Sequence, residues 1–98
     1  MPTHVVRTNS AGEVALLPQG ASHVTRVHVY NPNATGSVTG TVNFYDQTLS
    51  TPYLKFTADA TSPAVLELGL DLDPATQTLT VFLDSAPTTQ LACFTTYR

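Results

Sequence analysis

Apolar residues in this chain recur at a spacing of two, and nowhere do they recur at helical spacing for three turns, so the pattern specifies strands. Leu66, Leu68, Leu70 and Leu72 alternate with Val65, Glu67, Gly69 and Asp71. Leu79, Val81 and Leu83 form a second row, with Phe82 on the opposite row beside Thr78 and Thr80. Composition agrees, because 17 Thr and 10 Val favour strands while 2 Glu, 1 Lys and 3 Arg leave little from which to build helices.

Turn chemistry divides this alternation into eight predicted strands: His4 to Thr8, Glu13 to Leu17, Ser22 to Tyr30, Ser37 to Tyr45, Tyr53 to Thr57, Ala64 to Leu72, Gln77 to Leu83 and Gln90 to Tyr97. Between them stand Asn9-Ser10-Ala11-Gly12, Pro18-Gln19-Gly20, Asn31 to Gly36, Asp73-Pro74-Ala75-Thr76 and Asp84 to Pro87. Each supplies a Pro that presets φ, a Gly that tolerates positive φ, or a short polar side chain that bonds its own backbone. Strands at this spacing, with no repeat or linker, predict one domain over residues 1–98. The expected fold is all-β, a single antiparallel β-sandwich of about eight strands, either jelly-roll or immunoglobulin-like.

The segment Asn31 to Gly36 reads as a hairpin loop. With Tyr30 opposite Ser37, the pairs Val29 and Val38, Val27 and Gly40, Thr25 and Val42, and His23 and Phe44 fall on a core side. The pairs His28 and Thr39, Arg26 and Thr41, and Val24 and Asn43 fall on a polar side. Arg26, His28 and Tyr30 then share an outer face with Thr39, Thr41, Asn43 and Tyr45. The last strand is apolar on both rows, Leu91 and Cys93 on one and Ala92 and Phe94 on the other, so alternation does not assign its inward face. Such a strand is covered on both sides, and in a chain of 98 residues the second cover is expected to be another chain.

Seven acids against four bases give a net charge of −3, which speaks against phosphate-backbone binding and hence against a nucleic-acid partner. Near the N-terminus the longest apolar run, Val14 to Leu17, is too short for a signal-peptide core or a membrane span, so synthesis in a cytoplasm and no membrane partner are expected. The lone Cys93 excludes an intrachain disulfide.

Catalytic chemistry finds no foothold. His4, His23 and His28 lack the spacing that sets two ligands on one element, and no Gly-x-Ser-x-Gly surrounds any serine. Glu13 and Glu67 are the only glutamates, with no partner carboxylate in view, and Asp71 and Asp73 are not followed by the remaining ligands of a calcium loop. Cys93, between Ala92 and Phe94, reads as a small core residue. No catalytic residue, metal or cofactor is expected, and the chain is not expected to be an enzyme. The candidate interaction residues are Arg26, His28, Tyr30, Tyr45 and Phe82, because Tyr and Arg combine contact area with a polar handle.

The run Val27-His28-Val29-Tyr30-Asn31-Pro32-Asn33-Ala34-Thr35-Gly36-Ser37-Val38-Thr39-Gly40-Thr41-Val42-Asn43-Phe44-Tyr45 resembles a segment of small β-sandwich virion proteins of tailed bacteriophages. There an apolar strand ends in Asn, a turn of Thr or Ser with Gly follows, and a Val and Thr strand closes in an aromatic. The resemblance implies a structural protein of the virion, made in the host cytoplasm. The first expectation is a capsid decoration (cement) protein that binds the major capsid protein or other virion subunits as a homo-oligomer, a trimer being favoured. A tail or fibre component is the alternative, and a small carbohydrate- or receptor-binding module using the Tyr-bearing face is another.

Overall fold

The computed structural model describes residues 2–98, and strands account for its regular structure. They are β1 (Thr3–Thr8), β2 (Val14–Ala15), β3 (His23–Tyr30), β4 (Ser37–Asp46), β5 (Leu49–Asp59), β6 (Ala64–Asp71), β7 (Gln77–Leu83) and β8 (Leu91–Tyr97). Sheet I has the order β1-β8-β3-β6 and sheet II the order β2-β7-β4-β5, all neighbours antiparallel. Strand one therefore pairs with eight, two with seven, three with six and four with five, as in a long hairpin rolled up on itself. That is a jelly roll, and it decides between the two sandwich types that the sequence leaves open.

The rolled topology overturns the expected β3–β4 hairpin. β3 lies in sheet I and β4 in sheet II, so Asn31 to Gly36 carries the chain across the sandwich and the predicted pairs do not form. The one connection that stays within a sheet is β4 to β5, through a two-residue turn at Gln47 and Thr48 closed by Asp46 and Leu49. No Gly marks this turn. Gln47 itself takes the left-handed conformation, at φ 58°, and its N–H donates to the carbonyl of Thr76 at 2.9 Å. A two-residue hairpin requires positive φ, and here a tertiary hydrogen bond helps a non-glycine residue supply it. β5 consequently starts at Leu49, not at the expected Tyr53, and Pro52 is tolerated inside it because β5 is an edge strand.

The core lies between the sheets. Val24, Val27, Val29, Leu66, Leu91 and Cys93 come from sheet I, and Val38, Val42, Phe56, Ala58, Leu79, Val81 and Leu83 from sheet II. A bulge explains the one parity that alternation misplaces. Thr25 is an extra residue of β3 relative to β8, so Val24, expected on the polar side, turns inward with Val27 and Val29 and is fully buried. His23, expected to face the core, instead stands partly exposed, with Nδ1 2.6 Å from an Asp71 carboxylate oxygen.

Predicted turn chemistry holds in several of the turns: Gly20 and Gly36 take positive φ, and Ser10 Oγ accepts from the backbone N–H of Gly12 at 3.0 Å. Asn31 Oδ1 accepts from the backbone N–H of Asn33 at 3.0 Å, and Asp73 Oδ1 accepts from that of Ala75 at 3.0 Å. One core position is poorly matched to its surroundings. Thr95 is fully buried, and its hydroxyl is the buried side-chain polar atom that has no hydrogen-bond partner among the described residues. Thr95→Val is expected to stabilise the domain by about 1 kcal/mol, because it removes an uncompensated desolvation without emptying the space. Urea unfolding checks this as a higher midpoint at unchanged slope.

Candidate interaction face

Outward side chains of sheet I line up in rows across its four strands. The central row runs Val5, Phe94, His28, Val65, with each member directly opposite the next in the ladder. On one side of it runs the row Thr3, Thr96, Arg26, Glu67, and on the other the row Arg7, Ala92, Tyr30. Of seven large apolar side chains exposed among the described residues, four lie here: Val5 at 38%, Tyr30 at 50%, Val65 at 49% and Phe94 at 36%. An apolar band thus crosses the full width of one sheet face, interrupted by the half-buried ring of His28.

Local sequence explains the band. β8 carries Leu91, Cys93 and Thr95 inward, which forces Phe94 outward beside His28. In β6, Leu66 is buried and Val65 therefore faces solvent. Charges sit around the band and not within it. Arg26 Nε lies 3.4 Å from Glu67 Oε1, both side chains being exposed, so this pair is worth at most about 1 kcal/mol. Arg7 and the His23–Asp71 pair complete the rim.

The five residues singled out in the sequence do not form one surface. Arg26, His28 and Tyr30 are together on sheet I, but Tyr45 and Phe82 belong to sheet II on the other side of the sandwich. The shared face expected for Tyr30 and Tyr45 rested on the β3–β4 pairing, which is absent. Tyr45 lines an open pocket of about 320 Å³ between Pro18, Gln19, Pro74 and Gln77. Phe82, 38% exposed, stands opposite Thr41 on a face of sheet II otherwise rich in threonine.

Val5, Val65 and Phe94 are the members of the face missing from the sequence-based set. Phe94 left a trace there, as an apolar residue on the second row of its strand. Val5 and Val65 become visible only when the ladder sets them in line with it.

Polar groups elsewhere hold loops. The Glu13 carboxylate accepts from Ser50 Oγ at 2.5 Å, Asn43 Nδ2 at 3.2 Å and Thr80 Oγ1 at 3.3 Å, clipping the β2 segment onto sheet II. Burial pushes the Cys93 thiol up to about 11, so it stays protonated and unreactive in the folded state. Among the described residues no three His, Cys, Asp or Glu side chains gather where they would hold a metal ion. Asp71 and Asp73 serve separate ends, the first beside His23 and the second in its own turn. No protein-family model, curated protein or solved structure matches the chain.

Proposed function

We propose that this chain is a structural virion protein, a capsid decoration protein that binds the outside of a phage head as an oligomer and stabilises the shell by contact alone. The apolar band of Val5, Phe94 and Val65 across sheet I carries this reading. A domain near 100 residues buries only about two-thirds of the surface of its unfolded chain. Covering the band with another subunit adds apolar burial that the single chain lacks, at about 25 cal/mol per Å². The resemblance of Val27 to Tyr45 to phage virion proteins points the same way. Capsid and lectin domains both use jelly rolls, so the face and not the fold supports the choice.

The mechanism is linkage. A subunit that binds only the assembled shell stabilises that state by an amount that grows with the logarithm of its free concentration over its dissociation constant. Nothing in it requires a bond to be made or broken. The expected partner is the major capsid protein, with tail or fibre subunits as the alternative location.

Co-sedimentation with empty heads of the phage that encodes the chain tests the reading. Saturable binding is expected, and Phe94→Lys is expected to weaken it at least about tenfold, because subunits that no longer assemble through this face lose the avidity of multivalent attachment. A wild-type chain that binds neither heads nor tails contradicts a virion role. A Phe94→Lys variant that binds as well as wild type contradicts the use of this face.

A further inference from the structure

We propose that the outer face of sheet I is covered by the same face of a second copy of this chain, about a two-fold axis parallel to the strands and passing between β8 and β3. The inference rests on the reading of this face as an assembly surface and names its occupant. An isologous contact demands that the face be complementary to itself under rotation. Because β8 and β3 are the two central strands, this axis lays β1 over β6 of the other copy and β8 over β3.

Under that rotation each row meets itself in reverse order. In the central row Val5 meets Val65 and Phe94 meets His28, so apolar surface covers apolar surface and two rings pack together. In one flanking row the small Ala92 receives Tyr30. In the other, Thr96 meets Arg26 and Thr3 meets Glu67, so polar groups remain at the rim and no like charges are opposed.

Charge favours this occupant too. The face carries Arg7, Arg26 and, opposite His23 at its end, Arg98 against Glu67 and Asp71, so it does not share the negative balance of the chain as a whole, which is at −3. Copies brought together here avoid the repulsion that their net charge produces elsewhere. A two-fold axis perpendicular to the strands would instead set His28 on His28 and Phe94 on Phe94, and so bring two titratable rings together. Two twisted sheets stacked face to face about the proposed axis keep their strands nearly aligned, as in other sheet-on-sheet packing.

The footprint sets the strength. Four strands by three rows cover roughly 400 Å² on each copy, below the ~800 Å² per partner of a stable complex. The pair is therefore concentration-dependent. Because a face-to-face contact closes on itself, it yields dimers, and a trimer would have to use another surface.

Sedimentation velocity on the whole chain, from micromolar to millimolar concentration, reads the result. Wild type is expected to shift from monomer to dimer, while Phe94→Lys and His28→Glu each stay monomeric. An equimolar mixture of the two variants is expected to recover a heterodimer, because position 94 of one copy then meets position 28 of the other with opposite charge. Recovery also shows that both variants are folded. A wild-type chain monomeric throughout, or single variants that still pair, overturns the self-pairing, and a mixture that does not recover overturns the proposed axis. Head binding by a strictly monomeric chain would leave the decoration role standing while removing the dimer.

Discussion

Gly40→Ala is expected to destabilise the domain by about 2–3 kcal/mol, the upper part of the range for overpacking a tight core. Gly40 faces inward on β4, and a Cβ there would lie 2.6 Å from the carbonyl oxygen of Phe82 and 2.7 Å from Cζ of the Phe56 ring. The first of these atoms is backbone of β7, the strand paired with β4, so relief requires the two central strands of sheet II to separate. The second belongs to a ring that is itself buried. The absent side chain at Gly40 is thus the space that Phe56 fills. For a domain of this length the cost lowers the melting temperature by roughly 10–20 °C. Thermal unfolding measures it directly, and the rate at which a thiol reagent reaches buried Cys93 gives an independent readout of opening. An unchanged melting temperature would mean that Phe56 has somewhere else to go.

Asn31→Ala should cost about 2–4 kcal/mol, since a buried polar hub disappears and its partners lose their bonds together. Asn31 is 1% exposed at the corner where the chain leaves sheet I for sheet II. Its Nδ2 donates to the carbonyl of Ala58 on β5 at 3.0 Å, and its Oδ1 accepts from the backbone and side chain of Asn33 at 3.0 and 2.7 Å. Asn33 in turn brackets Thr89, accepting from its N–H at 2.8 Å and donating to its carbonyl at 3.1 Å. One side chain therefore couples the corner after β3 to the edge of sheet II and to the loop before β8. Asn31→Asp tests the coupling separately, because it keeps the acceptor for Asn33 but sets a carboxylate oxygen against the Ala58 carbonyl. Urea midpoints for both variants close to wild type would contradict the role given to this hub.

Much of this architecture is legible in local sequence, and the reason for each lapse is physical. Alternation locates the strands because one face of each is buried, and rows such as Leu79, Val81 and Leu83 are inward as read. Turn residues mark most of the boundaries between strands. Pairing is different, because periodicity says which side of a strand is dry and not which strand lies beside it. Val27, Val29, Val38 and Val42 are indeed buried, but they face one another across the core from two sheets instead of lying side by side in one. A six-residue loop bearing Asn31-Pro32-Asn33 serves a crossing as well as a hairpin. The true hairpin at Gln47 and Thr48 carries no Gly to announce it.

The interaction face follows the same logic. Arg26, His28 and Tyr30 are read correctly as neighbours because they lie on one strand. Tyr45 and Phe82 are not their companions, because that depended on the pairing of strands distant in the fold. Val5 and Val65 lie far apart in sequence and join the row only through β8 and β3. The bulge at Thr25 sharpens the lesson. A single inserted residue moves Val24 from the wet side to the core while leaving Arg26, His28 and Tyr30 outside. No alternation rule applied to β3 alone would place both.

Burial of the outer face of sheet I in a virion assembly is read out by a density map of particles assembled with the chain present and without it. The expected difference is a β-sandwich on the outside of the head with Val5, Phe94 and Val65 in a protein contact. A map with no added density on the particle, or with the sandwich bound and that face open to solvent, would contradict it.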